Sequence, residues 1–167
     1  SPNLITSLRL WFFGPLVCFF LMTGILIPAQ VSQILGEFTD AIDGWWARRT
    51  GQVSNIGKIF DPMCDSIFHM IQWMAFLALG WVPLYLVVLF FARDSIVSTI
   101  RVRLGNIGVV LAARNSGKLK AISQASALIF IVFRHRFYLG CVWLEWAQFA
   151  IVVAAAVVTL YSLCDYT

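Results

Sequence analysis

The sequence predicts an all-α integral membrane protein: a bundle of six transmembrane helices with a polar cavity that faces the cytoplasm. Three observations predict this class. Of the 167 residues, 60% are hydrophobic and 12% are charged, whereas a soluble domain carries about 25% charged residues. The segments 10–36, 66–92 and 146–164 contain no Asp, Glu, Lys or Arg, and roughly 20 apolar residues suffice to span a bilayer. Glycine, proline and polar clusters then divide the chain into pieces of helix length.

Six helices are predicted in order along the chain. Thr23 and Gly24 form a turn after the first helix, and Pro28 suits the first turn of the second. Residues 80–83, Gly-Trp-Val-Pro, separate the third helix from the fourth, and the polar segment 103–116 separates the fourth from the fifth. The predicted helices are 3–22, 25–48, 57–79, 83–103, 117–134 and 142–164.

The basic residues predict how the bundle is oriented. With six spans both termini lie on one side, and only Arg134 and Arg136 fall at the opposite side, with Arg93 inside the fourth helix. Because Lys and Arg concentrate on the cytoplasmic side of membrane proteins, the termini are predicted to be cytoplasmic. The remaining basic residues are Arg9, Arg48, Arg49, Lys58, Arg101, Arg103, Arg114, Lys118 and Lys120.

The chain is expected to form a single domain, residues 1–167, because its length leaves no room for a separate soluble module. Residues 1–9 do not read as a cleavable signal peptide, since no small-residue cleavage site follows a short apolar run. The net charge of +4 is interpreted as membrane topology and recognition of anionic ligands. No nucleic-acid partner is expected.

Four aspartates interrupt the apolar pattern at the predicted cytoplasmic ends of the second and third helices. Asp40 and Asp43 are three residues apart, and Asp61 and Asp65 are four apart, so each pair lines one helix face. A short connection makes these helices antiparallel neighbours, so the four carboxylates converge. Each ionised carboxylate within a bilayer costs on the order of 2.5–3.5 kcal/mol. Two divalent cations, Mg²⁺ or Mn²⁺, would balance the charge, and such ions commonly bind substrate phosphates as well.

The alternative that involves no ligand is a solvated cluster in which these aspartates form salt bridges with Arg48, Arg49 and Lys58. Four carboxylates on the inner faces of adjacent helices disfavour it. Gly44 and Gly57 also favour a ligand site, because a missing side chain lets a bulky ligand approach the backbone. Close helix packing explains small residues equally well, and the two roles are compatible.

The spacing of these residues resembles the signature of the CDP-alcohol phosphotransferase family. Eight fixed positions fall within 26 residues. The opening PNLITSLRL is also similar to the Asn-x2-Thr-x2-Arg start of many members, and the six-helix length fits the family fold. The matching pattern is Asp40-x2-Asp43-Gly44-x2-Ala47-Arg48-x8-Gly57-x3-Asp61-x3-Asp65.

The resemblance implies an enzyme in which an alcohol attacks the β-phosphorus of a CDP-linked lipid and CMP is released. It implies that Asp40, Asp43, Asp61 and Asp65 hold two metal ions and that Asp65 is also the general base. It also implies a homodimer, with membrane lipid around it. The residues expected to bind the CDP-lipid are Asn3, Thr6, Gly44, Ala47, Arg48 and Gly57.

The acceptor alcohol must be selected by residues outside this signature. Arg93, Arg101, Lys118 and Lys120 are expected to bind a phosphate of the acceptor, because they lie on helices four and five, toward the cytoplasmic side. The segments ARDSIVSTIR and SGKLKAISQ resemble the corresponding parts of bacterial phosphatidylglycerophosphate synthases, a branch of this family. That likeness favours CDP-diacylglycerol and glycerol 3-phosphate as substrates, and it implies a bacterial inner (plasma) membrane as the location. Inositol phosphate and serine stay open as alternatives, and so does a topological role for the cations.

Two other classes of protein could use aspartate-rich helices. Intramembrane prenyltransferases bind diphosphates with Mg²⁺, but they divide their aspartates between distant motifs. A divalent-cation carrier would not need Gly44 or Arg48, which a nucleotide site does. His69 extends the Asp61–Asp65 stripe by one turn, and Glu37 precedes Asp40 by one turn; both stay open between a role at the site and local packing.

Overall fold

The computed structural model describes residues 9–50, 55–106, 115–137, 140 and 142–166, without the side chains of 9, 40–41, 43–50, 55–62, 105–106 and 166. A π-helical turn, Arg9–Phe13, leads into the first α-helix. The six α-helices of the described ranges are α1 (Gly14–Met22), α2 (Leu26–Thr50), α3 (Asn55–Ala78), α4 (Leu84–Asn106), α5 (Asn115–Phe137) and α6 (Val142–Tyr166). The predicted all-helical class is therefore confirmed.

Two of the predicted breaks are glycine-terminated helix ends of the same type. Gly24 has φ of +75° and Gly80 has φ of +70°, a left-handed conformation that glycine adopts without strain. The residue after each glycine donates its N–H five residues back, from Ile25 to Phe20 at 3.0 Å and from Trp81 to Phe76 at 2.9 Å. This is the Schellman arrangement, which satisfies the last carbonyls of α1 and α3.

The chain divides into two compact units, Ser1–Ala75 and Phe76–Thr167. In the first unit α1 and the π-helical turn pack against α2, and α2 also lies very close to α3. A Cβ atom added to Gly36 of α2 would lie 2.5 Å from Cζ of Phe68 on α3. Only glycine permits this approach, because real Cβ contacts are not that short.

In the second unit α5 packs along α6, and α4 also contacts α6. The turn between α5 and α6 contains Gly140, whose φ of +103° again requires glycine. Trp81 stacks on His135, with ring centroids 3.8 Å apart, and its carbonyl accepts a hydrogen bond of 3.1 Å from Gln148. These contacts tie the segment before α4 to one end of the α5–α6 pair.

Large apolar side chains lie on the surface of the protein, while many polar ones are buried. Trp11 and Trp143 are 80% and 82% exposed, whereas Gln33 and Gln72 are 0% exposed. An apolar surface of this kind suits lipid better than water. Two helices of the described residues, 115–137 and 142–165, are long and apolar enough to cross a membrane. These features indicate a membrane protein, while the six spans and the cytoplasmic cavity stay predictions.

Candidate active site

All eight residues of the predicted signature lie on α2 and α3, but seven of them are described by their backbone alone. The helical backbone of Leu26–Thr50 and Asn55–Ala78 is what the predicted spacing required. Asn3 and Thr6 lie outside the described residues altogether. The predicted site residues on these two helices whose side chains are not described are Asp40, Asp43, Gly44, Ala47, Arg48, Gly57 and Asp61.

Asp65 is the signature aspartate whose side chain is described, and it lies in a group with Glu37 and His69. His69 Nε2 is 2.8 Å from Glu37 Oε1 and 3.7 Å from Asp65 Oδ1. The imidazole is 1% exposed, and the two carboxylates are 21% and 18% exposed. An N–H on Nε2 therefore donates to Glu37, which the sequence left without an assigned role. We call these three residues the acidic group.

The acidic group could hold a metal ion, because one ligand atom from each residue lies within 4.8 Å of the others. Carboxylate oxygens are the ligands that Mg²⁺ and Mn²⁺ prefer, and a histidine nitrogen that carries no proton is compatible with Mn²⁺. A metal ion bound at Nε2 of His69 would therefore replace the proton that Nε2 donates to Glu37. Asp61 lies one turn before Asp65 on α3, and Asp40 lies one turn after Glu37 on α2. The residues present therefore fit the predicted divalent cations.

A second polar contact between α2 and α3 lies deeper in the same unit. Gln33 donates its amide N–H to Gln72 Oε1 at 2.6 Å, and both side chains are fully buried. Gln72 also donates to the backbone carbonyl of Phe68 at 3.3 Å. Gln33 precedes Glu37 by four residues and Gln72 follows His69 by three, so each helix presents one continuous polar stripe. The sequence contains this periodicity, but the pairing across the helices required the structure.

The second unit contains a different group, in which two cations share one carboxylate. Arg93 Nη1 donates to Asp94 Oδ1 at 3.0 Å, and Lys120 Nζ donates to Asp94 Oδ2 at 2.7 Å. Arg93 Nη2 also donates to Ser162 Oγ at 2.5 Å. All four residues are at least nine-tenths buried. We call Arg93, Asp94 and Lys120 the basic group.

The other two cations assigned to the acceptor phosphate lie in more open positions. Arg101 is half-buried near the end of α4, and Lys118 is exposed in the first turn of α5. In the same turn as Lys118, Ser116 donates to Asp165 Oδ2 at 2.5 Å. The structure therefore divides the four predicted cations into a buried pair, Arg93 and Lys120, and an outer pair.

Arg134, which was expected at the opposite surface, and its neighbour His135 are held by local contacts. Arg134 donates to Glu145 at 2.7 Å and to Gln148 at 2.9 Å. His135 Nδ1 lies 2.9 Å from the carbonyl oxygen of Ile131. Nothing in these contacts ties them to the candidate site.

The helical fold and the lipid-suited surface define a membrane protein. The acidic group on neighbouring helices is a candidate metal site, and the buried basic group of the second unit is a candidate phosphate site. The particular family follows from comparison with known proteins. The chain belongs to the CDP-alcohol phosphatidyltransferase family, whose model matches residues 1–162. The resemblance found in the signature is thereby confirmed, and the family is one of membrane-associated enzymes.

The chain is also similar to several proteins named CDP-diacylglycerol--glycerol-3-phosphate 3-phosphatidyltransferase. The protein of Treponema pallidum is 33% identical over 92 residues, which cover 55% of this chain and 43% of that protein. The Bacillus subtilis protein is 30% identical over 95 residues, 57% of this chain and 49% of the relative. The Escherichia coli K12 protein is 29% identical over 179 residues, 99% of this chain and 91% of the relative. The chain thus spans about half the length of the Treponema and Bacillus relatives.

Proposed function

We propose that this protein transfers the phosphatidyl group of CDP-diacylglycerol to glycerol 3-phosphate and releases CMP. Three observations support the proposal. The chain carries the complete family signature between Asp40 and Asp65, the family model matches it, and relatives along nearly its whole length carry this activity in their names. The observation that carries it is the complete signature, whose last aspartate, Asp65, lies in the acidic group.

In the proposed reaction the hydroxyl oxygen of glycerol 3-phosphate attacks the β-phosphorus of CDP-diacylglycerol. A new phosphorus–oxygen bond forms, and the bond from that phosphorus to the oxygen bridging it to the cytidylate breaks, so CMP leaves with the electron pair. Asp65 takes the hydroxyl proton, the role of a general base, which typically contributes 10²- to 10⁴-fold to the rate. Its position beside the buried His69 supports a carboxylate held in a fixed orientation.

The proposed metal ligands are Asp40, Asp43, Asp61 and Asp65, holding two ions of Mg²⁺ or Mn²⁺. Bound divalent ions would neutralise charge on the phosphoryl oxygens and on the departing CMP. Glu37 orients His69, through the 2.8 Å contact between them, and together they limit the motion of Asp65. The CDP-lipid would be bound by Asn3, Thr6, Gly44, Ala47, Arg48 and Gly57.

The acceptor phosphate would be bound by Arg93, Arg101, Lys118 and Lys120. A guanidinium and an ammonium suit a phosphate because both donate charge-assisted hydrogen bonds. They do not suit a cationic acceptor such as choline or ethanolamine. We further propose that all six helices span a bacterial inner membrane as a homodimer, with the site and both termini on the cytoplasmic side, as the distribution of Lys and Arg supports.

The test is a panel of acceptors supplied separately to the purified protein with CDP-diacylglycerol and Mg²⁺ or Mn²⁺. CMP release is expected with glycerol 3-phosphate. Release with only serine or inositol phosphate would replace the acceptor while retaining the transferase class. The absence of CMP with every alcohol would overturn the transferase proposal, provided that the same preparation unfolds cooperatively on heating.

A further inference from the structure

Asp94 connects two buried cations that belong to different helices. Its Oδ1 accepts from Arg93 on α4 and its Oδ2 accepts from Lys120 on α5, at 3.0 and 2.7 Å. The carboxylate is 8% exposed, and the two cations are 5% and 3% exposed. Because each oxygen serves a different cation, Asp94 fixes the separation of the guanidinium and the ammonium.

The neighbouring hydroxyl of Ser162 extends this arrangement to a third helix. Ser162 accepts from Arg93 Nη2 at 2.5 Å, so the guanidinium plane is set by two acceptors in different directions. A planar guanidinium held in this way presents a fixed orientation, whereas a free arginine loses rotamer entropy on binding. The α4, α5 and α6 helices thus position one cation pair.

Charge explains why such a pair needs Asp94. Two cations without a counter-ion in a buried site are strongly disfavoured, and leaving one member of a buried ion pair unmatched is costly. Two cations and one carboxylate nevertheless leave one net positive charge in the basic group. An ammonium has three N–H donors, and the bond from Lys120 to Asp94 uses one of them. The group is therefore neutralised in part and retains a preference for an anion.

We propose that Asp94 is a positioning residue that holds Arg93 and Lys120 as one preorganised receptor for the acceptor's phosphate. This inference rests on the proposed function and deepens it, because it assigns recognition of the phosphate to the buried pair. Arg101 and Lys118 then contribute long-range attraction. Asp94 itself does not touch the substrate; it sets where the two cations are when the phosphate arrives.

Asp94→Asn tests the inference. The single carbonyl oxygen of the amide can accept from one cation, while its NH2 group faces the other, so the pair is no longer held together. The KM for glycerol 3-phosphate is expected to rise about tenfold, the factor that corresponds to 1.4 kcal/mol. The KM for CDP-diacylglycerol and kcat at saturating acceptor are expected to stay within about twofold, because the metal and the base are untouched. Asp94→Glu keeps the charge and both oxygens and should recover most of the loss.

Glu145→Gln is the matched control. It removes a carboxylate from the Arg134 ion pair in the same unit, outside the basic group, and should leave both KM values unchanged. An unchanged KM for glycerol 3-phosphate in Asp94→Asn would overturn the inference. So would an equal rise in both KM values or a fall in kcat alone, since these are the effects of a merely structural ion pair.

Ser162→Ala provides a second variant if Asp94→Asn does not fold. It removes one neutral acceptor and leaves every charge in place, and should raise the KM for glycerol 3-phosphate about two- to threefold. An unchanged KM would contradict the inference.

Failure of the proposed function can be distinguished by measuring binding of inorganic phosphate. Even if the wild-type protein releases no CMP, inorganic phosphate should raise its midpoint of thermal unfolding more than it raises that of Asp94→Asn. That result would refute the transferase proposal but support the proposal that Arg93 and Lys120 form a phosphate receptor. Equal stabilisation of the two proteins, or none in the wild type, would refute the receptor.

Discussion

The two polar groups of this protein are opposite in charge and differ in how they reach neutrality. The acidic group has two carboxylates around one histidine, and the signature adds three further aspartates on the same two helices. The basic group has two cations around one carboxylate. The first therefore favours the binding of cations, whereas the second largely carries its own counter-ion and keeps one positive charge. This difference is consistent with the proposed metal-dependent transfer to an acceptor that carries a phosphate.

Asp65→Asn is the variant expected to have the largest effect, because it removes the proposed base from the acidic group. The amide keeps the size of the side chain but cannot accept the hydroxyl proton. We expect kcat to fall by about 10²- to 10⁴-fold, measured as CMP release, while binding of CDP-diacylglycerol is largely preserved. Comparable turnover in the variant would remove Asp65 from this role; Glu145→Gln, with its carboxylate in another ion pair, is the control.

Glu37→Gln tests whether the partner of His69 contributes to metal binding. The neutral amide no longer orients the imidazole by a charge-assisted hydrogen bond, and changes next to metal ligands typically cost about 10- to 100-fold in metal affinity. The Mn²⁺ concentration that gives half-maximal activity should rise by about tenfold, with much of kcat recovered at saturating Mn²⁺. An unchanged metal requirement would show that the Glu37–His69 contact serves packing alone.

Gly36→Ala tests the close approach of α2 and α3 that brings the acidic group together. The new methyl group would meet the ring of Phe68, and overpacking of this kind typically costs 1–3 kcal/mol. We expect a lower midpoint of thermal unfolding in detergent, with partial recovery in the double variant Gly36→Ala/Phe68→Leu, which vacates the space. An unchanged midpoint of thermal unfolding in Gly36→Ala would mean that α2 and α3 can move apart without loss of stability.

Lys118→Ala should have the smallest effect, since it removes an exposed cation of the outer pair. The KM for glycerol 3-phosphate is expected to change by about twofold or less at physiological ionic strength, because exposed charges are screened. Lys120→Ala, which removes one of the two buried cations, should raise this KM far more. Equal effects of the two substitutions would erase the distinction between the buried and the outer pair.

The sequence predicted the helices well because local chemistry sets their ends. Gly24 and Gly80 were predicted breaks, and both adopt the left-handed conformation that ends a helix. The second helix continues to Thr50, two residues beyond its predicted end, since no glycine or proline intervenes before Gly51. The π-helical turn before α1 was not predicted; Pro15, which lacks a backbone N–H, follows it closely.

Contacts between helices were less accessible to sequence reasoning. Glu37 and His69 each stood one turn from a signature aspartate, but their 2.8 Å contact depends on the register of α2 against α3. Asp94 is the sequence neighbour of Arg93, while its bond to Lys120, 26 residues away, was not foreseen. The roles of Gln33, Gln72 and Ser162 were not predicted. The position of an uncharged polar residue along one helix does not identify the residue that it contacts on another.

The most direct test of the central claim follows the acceptor into the product. The full-length protein in detergent or lipid is supplied with CDP-diacylglycerol, Mg²⁺ or Mn²⁺ and radiolabelled glycerol 3-phosphate, and label in the lipid extract is compared with CMP released. The account predicts one labelled lipid for each CMP, and neither product when the metal is chelated. CMP without labelled lipid, or labelled lipid formed in the presence of a chelator, would contradict it.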